Sequence, residues 1–443
     1  MKDKLAIIAG KISYSLAKKI GKSGTALPGK VAITVDKNIL SKLGKICNRI
    51  ILITGTNGKT TTNNLSNHIF SGKYDKIASN LTGSNMIQGI ITPLLLNSNK
   101  KYEWGIFEVD EGSIPEVTKY ITPDYLLITN FFRDQLDRYG EVENTIKLVH
   151  DAINNDKTKL ILNSDDPSTL YFNDLQNQKV YYSQNETPIS KNEINVVESI
   201  LCPLCGSRLE YEYINYGNIG KYKCNNCGAH NPEAKYHITQ IGVDKDSYKF
   251  KINNGPEIKL GILGTYNLYN ALGAVSLALE SKIDIDTIKN QIEKFHCERG
   301  RMEFFNVNGE VILGLAKNPV GLSEVLRTIT YYEAEKSIMF ILNDYAPDGK
   351  DISWIWDANF EEVLKVSKLK NFYCVGTRAE EIALRLKYTG FPEDKLKIYH
   401  SIDRTDIENP INEILKENNR VYIIGTFTAM PESRKILVKR DKK

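Results

Sequence analysis

What this chain lacks narrows it first. Nowhere in its 443 residues does the run of roughly eighteen apolar residues that marks a membrane-spanning helix occur. Histidine is scarce, and none of the six sits in a recognisable nucleophile motif with a free cysteine. A Cys-His nucleophile site within this chain is therefore not expected. Charge of one sign is also missing: 58 Lys and Arg against 54 Asp and Glu leave a net charge of +4, too small a bias to imply nucleic acid as the main partner. A secretory signal is disfavoured because Lys11 interrupts the apolar stretch at the N-terminus and no convincing small-residue cleavage site follows, so a cytoplasmic protein is expected.

What is present is an ordinary globular composition, 41% hydrophobic and 25% charged, on a chain too long for one core. The most informative segment is Gly55-Thr56-Asn57-Gly58-Lys59-Thr60-Thr61, which follows the apolar run Ile50-Ile51-Leu52-Ile53-Thr54 and opens a helix-like stretch ending near Phe70. A strand, a glycine-rich turn and a helix start aim backbone N–H groups and a helix dipole at one anion. In this shortened Walker pattern Lys59 meets the outer phosphates and the Thr60 hydroxyl holds Mg²⁺.

Apolar β-type runs near 104–109, 125–129, 159–162 and 180–183 alternate with helix-like segments, which implies a parallel sheet covered on both faces. An alanine- and leucine-rich helix over 266–279 closes this unit. After Arg299-Gly300-Arg301 the alternation restarts with runs at 311–315, 337–342, 372–375 and 421–424, and a second α/β domain is expected. Gly376 and Gly425 read as strand-to-helix turns there. Residues 1–21 suit an amphipathic helix, with Lys2, Lys4, Lys11, Lys18 and Lys19 among Leu5, Ile7, Ile8, Ile12, Leu16 and Ile20. It either packs on the first domain or makes peripheral contact with anionic lipid through a basic face.

Four of the seven cysteines form Cys202-Pro203-Leu204-Cys205 and Cys224-Asn225-Asn226-Cys227. Each pair can offer two thiolates to one corner of a tetrahedron, and Gly206 and Gly228 allow the tight turns that follow, so a structural Zn²⁺ is expected rather than two disulfides. Four protein ligands leave no open position, so this metal stabilises a small ribbon and activates no water. Cys47, Cys297 and Cys374 read as buried thiols.

Further motifs carry a resemblance. Phe107-Glu108-Val109-Asp110-Glu111-Gly112-Ser113, Thr129-Asn130-Phe131-Phe132-Arg133-Asp134-Gln135-Leu136-Asp137, Leu162-Asn163-Ser164-Asp165-Asp166-Pro167, Gly264-Thr265-Tyr266-Asn267-Leu268-Tyr269-Asn270-Ala271 and Gly300-Arg301-Met302-Glu303 follow in an order and spacing that resemble the Mur ligases. Those are ATP-dependent amide-bond formers of peptidoglycan synthesis, and the likeness covers nearly the whole chain. The cysteine ribbon, Asp110 to Ser113, and the run Asp348-Gly349-Lys350-Asp351-Ile352-Ser353-Trp354-Ile355-Trp356-Asp357 make it similar in particular to the synthetase subunits of lipid II isoglutaminyl synthases. That branch amidates the α-carboxyl of D-glutamate in lipid II with ammonia from a GatD-type glutamine amidotransferase partner.

The resemblance implies a Mur-ligase-like central P-loop domain over 46–300 with an inserted zinc ribbon at 200–232, preceded by a helical segment, 1–45. A C-terminal Rossmann-like α/β domain, 301–443, binds the partner. It implies ATP at Gly55 through Thr61, Mg²⁺ at Thr60 and Glu108, and Asn267, Asn270 and Arg301 at the nucleotide. Asp351 is expected to orient the partner's catalytic His across a subunit interface, with Asp348 and Asp357 as neighbouring alternatives. Trp354 and Trp356 suit an interface anchor, or core for one of them. Two departures stand out. Gln135 replaces a histidine usual in Mur ligases, which makes a second Mg²⁺ doubtful, and Gly314-Leu315-Ala316-Lys317-Asn318-Pro319 replaces their Asp-Tyr-Ala-His-Asn-Pro. Both argue against the alternative of an amino-acid-adding Mur or folylpolyglutamate-type ligase; a second alternative is a non-catalytic ATP-binding scaffold.

Overall fold

The computed structural model describes residues 2–20, 24–81, 84–133, 142–153, 155–187, 190, 201–244, 247–296, 301–417 and 420–441. Its strands are β1 (Cys47–Thr54), β2 (Ile77–Ser79), β3 (Tyr102–Glu108), β4 (Tyr125–Ile128), β5 (Lys159–Asn163), β6 (Lys179–Gln184), β7 (Glu210–Tyr216), β8 (Ile219–Lys223), β9 (Tyr236–Asp244), β10 (Ser247–Ile252), β11 (Glu257–Leu260), β12 (Arg301–Asn306), β13 (Glu310–Leu315), β14 (Lys336–Ile341), β15 (Leu369–Gly376), β16 (Leu396–His400) and β17 (Arg420–Gly425).

Nine strands form one sheet in the order β11-β10-β9-β6-β5-β4-β1-β3-β2. From β2 to β9 the pairs are parallel, and β10 and β11 extend the edge as antiparallel strands. Residues 50–54 of β1 are buried without alternation, as a strand covered on both faces requires. One face carries the helices Lys59–Ser71 and Thr265–Glu280, packed on each other and on the sheet. The second of these is an Ala- and Leu-rich helix with every residue from Asn267 to Ala278 buried. β1 is flanked by β3 on one side and β4 on the other, so chain direction across the sheet reverses there and the crevice beyond its carboxyl end is a natural ligand site.

The second sheet runs β12-β13-β17-β14-β15-β16, parallel except for β12. Gly376, at φ +112°, turns the chain from β15 toward the helix Ala379–Tyr388, and Gly425 ends β17 ahead of the helix Ala429–Val438. The antiparallel β9-β10-β11 edge and β12 are additions to the expected parallel pattern, and their turns are written locally: Asn253, at φ +51°, opens the Asn253-Asn254-Gly255 turn between β10 and β11, and Asn308 and Gly309, at φ +53° and +140°, join β12 to β13.

An ion cluster ties the end of Thr265–Glu280 to the sheet. Glu280 accepts from Lys159 Nζ at 2.8 Å, Lys235 Nζ at 2.5 Å and Tyr236 Oη at 2.9 Å. Burial alone would raise its pKa, yet the bonds from Lys159, Lys235 and Tyr236 outweigh it and hold the carboxyl down at about 2, against an ordinary 4.5. A depressed acid stabilises the fold above its unfolded pKa and loses that contribution as pH falls through the folded value. Glu280→Gln should therefore cost about 1–3 kcal/mol at neutral pH. In urea unfolding series the gap from wild type should close as the pH drops from the ordinary value toward about 2.

Candidate functional site

β1 delivers the chain into a cradle whose two glycines are sterically required. Gly55 and Gly58 hold φ of +119° and +86°. A Cβ at 55 would lie 2.3 Å from Thr129 Oγ1 and one at 58 only 2.0 Å from Asn270 Oδ1. Gly58 caps the helix Lys59–Ser71 and brings no side chain over its first turn, and a helix N-terminus of this kind favours an anion. The loop's shape is set from β4's end. Asn130 O accepts from Thr56 N at 2.9 Å, Asn130 Oδ1 accepts from Asn57 N at 2.9 Å, and Thr129 Oγ1 donates to Asn57 O at 2.8 Å.

Lys59 is buried, and its Nζ donates to Gly55 O at 2.5 Å and to Glu111 Oε2 at 2.8 Å. Burial works against its charge, but Glu111, Asp110 and Glu108 together keep its pKa above the ordinary lysine value. The Glu111 pairing was not singled out from sequence; the signal lay in the quoted Asp110-Glu111-Gly112-Ser113 run, directly after β3. Glu108, the last residue of β3, is buried and accepts a long bond, 3.4 Å, from Asn85 Nδ2, while Asn80 clamps its backbone through bonds of 2.9 and 2.8 Å. Thr60 and Glu108 offer hard oxygen donors beside the cradle, the set that Mg²⁺ takes.

Asn267 and Asn270 are both buried, and Asn270 Nδ2 donates to Asn267 Oδ1 at 2.9 Å. They line a cleft with Gly58, Thr61, Tyr216 and Val320. Asn270 rests against Gly58, which makes it a wall of the phosphate turn as much as a partner for a base. Across the cleft, Asn318 caps the helix Pro319–Thr330 and donates from Nδ2 to Asn57 Oδ1 at 2.9 Å. Its segment stood out in sequence only as a departure; the contact joins the second sheet's unit to the cradle. Arg301 opens β12 opposite Gly314, and its side chain lies outside the described residues, as do Asp134 to Asp137 and Cys297.

The cysteine sulfurs of Cys202, Cys205, Cys224 and Cys227 all lie within 4.8 Å of one another. The two turns are near copies: Gly206 N donates to Cys202 O at 2.8 Å and Gly228 N to Cys224 O at 2.9 Å, with φ of +71° and +76° at the glycines. Four thiols converging from two such knuckles fit a tetrahedral zinc. Cys47 and Cys374 are buried in the sheets, with burial pushing the Cys47 thiol up to about 12.

The ribbon reaches the cleft. Beyond the knuckles, β7 and β8 end in a turn at Gly217, where a Cβ would lie 2.7 Å from Phe132 and 3.3 Å from Val320. Tyr216 stacks edgewise on Tyr269, and Asn130 Nδ2 donates to its hydroxyl at 3.3 Å. Asp165 anchors the same hairpin by accepting from Tyr269 Oη at 2.7 Å and Asn231 Nδ2 at 3.0 Å. Burial pushes Asp165 up to about 7 and its neighbour Asp166 up to about 6. Asp166 accepts from Phe131 N at 2.8 Å, which fixes the strand end that shapes the cradle.

The three C-terminal carboxylates separate clearly. Asp348 is buried and accepts from Thr428 N at 2.7 Å, with burial pushing its pKa up. Asp357 pairs with Arg133 at 3.2 Å. Asp351 is exposed; bonds from the Ser353 hydroxyl and N–H, then the charge of Arg133, hold its carboxyl below the usual range. Trp354 packs partly buried against Phe340, whereas Trp356 is 46% exposed beside Tyr388.

A parallel sheet ending in this cradle, faced by a second α/β sheet across the cleft, is the arrangement of a Mur-type ATP-dependent ligase. Residues 53–229 match the Mur ligase middle domain and residues 315–430 the MurT ligase C-terminal domain. The chain is 39% identical over 388 residues to a lipid II isoglutaminyl synthase (glutamine-hydrolyzing) subunit MurT of Staphylococcus aureus, covering 87% of this chain and 88% of that one. It is 35% identical to the MurT subunit of Streptococcus pneumoniae over 100% of this chain and 98% of the other. The chain belongs to the MurT family. Among solved structures, a pseudomurein peptide ligase type C from Methanothermus fervidus superposes with a TM-score of 0.68 at 24% identity, covering 88% of this chain and 78% of that one, and shows the same fold.

Proposed function

We propose that this chain amidates the α-carboxyl of the D-glutamate in lipid II, at the inner face of the cytoplasmic membrane, with ammonia from a GatD-type glutaminase bound to its C-terminal unit, residues 301–443. The observation that carries this reading is a single cleft lined by Gly58, Asn267 and Asn270 at the cradle of Lys59, in a chain whose full-length relatives are lipid II isoglutaminyl synthase subunits.

The carboxylate attacks the γ-phosphorus of ATP, the β–γ bond breaks and ADP leaves. Ammonia then adds to the acyl carbon, inorganic phosphate departs and the nitrogen loses its extra proton. Amide formation from a carboxylate is uphill in water, and the acyl phosphate supplies the driving force. The donors of the Gly55–Thr61 turn and Lys59 offset the charge on the transferring phosphoryl group. Thr60 and Glu108 would hold Mg²⁺, which would add charge neutralisation at the phosphates. Asn267 and Asn270 wall the nucleotide side of the cleft, and Arg301 is assigned to the nucleotide by the resemblance of its Gly300-Arg301 motif. Cys202, Cys205, Cys224 and Cys227 would hold zinc, which would keep the ribbon folded.

That Asp351 is the most exposed of the three carboxylates, ahead of the half-buried Asp357, supports giving it to a partner's histidine, with the exposed Trp356 as an apolar anchor. Mass spectrometry of lipid II incubated with ATP and Mg²⁺ tests the whole reading. Ammonium alone should give the carboxamide; glutamine should do so only with the partner present. Asp351→Asn should lower the glutamine-driven reaction at least about a hundredfold, as loss of an orienting carboxylate does in hydrolytic triads, and leave the ammonium-driven reaction intact. No amide under any condition would reject the synthetase assignment, and equal loss with both nitrogen sources would reject the role given to Asp351.

A further inference from the structure

The helix Lys2–Lys19 sits on the protein through its smallest residues. Ala6, Gly10 and Ala17 are its buried positions, and a Cβ at Gly10 would lie 2.4 Å from Leu95 Cδ1 and 3.1 Å from Pro28 O. Close approach is what this face is built for. The large apolar side chains are on the outside. Leu5, Ile8, Ile12, Leu16 and Ile20 are between 54% and 68% exposed, and their spacing of three or four residues aligns them along one stripe. A contiguous exposed apolar stripe marks an interaction surface. Its rim is cationic: Lys2, Lys4, Lys18 and Lys19 are exposed, and the helix holds five lysines against the one acid Asp3. Among the described residues no helix is long and apolar enough to cross a bilayer.

We propose that this stripe is a docking surface for an anionic lipid bilayer. The helix lies in the membrane plane with Leu5, Ile8, Ile12, Leu16 and Ile20 in the acyl boundary and its lysines among the headgroup phosphates. Charge decides the occupant. A second copy would bring two lysine rims together, whereas phosphate headgroups complement them. The inference deepens the proposed function, since a lipid-anchored substrate puts the reaction at that surface, but vesicle binding is measured without any reaction.

The test is co-sedimentation of the zinc-loaded full chain with vesicles. Phosphatidylglycerol-containing vesicles should retain it, and pure phosphatidylcholine vesicles should retain it at least about tenfold less. High salt should weaken the binding, because it screens the lysines. The triple variant Ile8→Glu/Ile12→Glu/Leu16→Glu should bind anionic vesicles at least about tenfold less well. Its substitutions are all at exposed positions, so its circular dichroism and its ammonium-driven amidation of a water-soluble lipid II analogue should be unchanged. Equal vesicle binding by wild type and variant overturns the inference. So does a wild-type dimer that the variant dissolves and that ignores vesicles. Vesicle binding without amidation by either protein rejects the proposed reaction and leaves the docking surface standing.

Discussion

Lys59→Met should abolish ATP-dependent amidation, by at least about a thousandfold, since it removes the cation that meets the outer phosphates where charge is transferred. The same change should also destabilise the protein. Glu111 would be left buried, its side chain 8% exposed, with its ammonium partner gone, and breaking a buried pair costs about 3–5 kcal/mol. The two effects separate in Lys59→Met/Glu111→Gln, where no buried charge is left unpaired. That double variant should recover most of the unfolding free energy and none of the activity, measured by urea titration and by ADP release. Recovery of activity would show that Lys59 serves the fold and not the phosphates. Retained binding of the glutaminase by the inactive double variant would identify the loss as chemical.

Removing zinc should have the second largest effect. Structural zinc sites contribute about 10–16 kcal/mol of apparent folding free energy in small metal-dependent domains, and this ribbon has little core of its own beyond Leu170, Leu209 and Tyr222 around two of its cysteines. Chelation, or Cys224→Ser, should unfold the knuckles. Because the β7–β8 turn is wedged between Phe132 and Val320 and Tyr216 lines the cleft, the loss should spread to the nucleotide. Binding of a non-hydrolysable ATP analogue, followed by calorimetry, should weaken at least about tenfold as the donors around Asn130 lose their support. Stoichiometric zinc by elemental analysis should fall in parallel. Unchanged analogue binding in a zinc-free chain would confine the metal's role to the ribbon.

Much of this site is legible in the linear chain because its chemistry is local. The positive φ of Gly55 and Gly58 belongs to a strand-turn-helix that the sequence shows locally, although the walls that leave no room for a Cβ there, Thr129 and Asn270, are distant, and the spacing of the Cys-x-x-Cys pairs points to a metal. The alternation of apolar runs is enough for two α/β units, because a strand buried on both faces reads as a continuous apolar run. Other features had no local signal. Glu111 reaches Lys59 across 52 residues and Asn318 reaches Asn57 across 261, distances over which no periodicity or spacing rule operates. The ribbon reads as a stabilised appendage in sequence, yet its hairpin tip forms part of the cleft wall, a placement decided by Tyr269 and Asp165 on other elements.

By itself the sequence determined the phosphate cradle, the two Cys-x-x-Cys pairs and the helical character of the N-terminal segment, each written in residues a few positions apart, and the family, written in the order of such motifs along the chain. Only the tertiary structure decided which carboxylate of Asp348, Asp351 and Asp357 stays exposed, how Lys59 is held charged, and which face of the first helix meets the protein. Those depend on packing between distant segments: Gly10 at close quarters with Leu95 and Pro28 turns five large apolar side chains outward, where hydrophobic periodicity, which reports that a helix has two faces, does not say which one is covered.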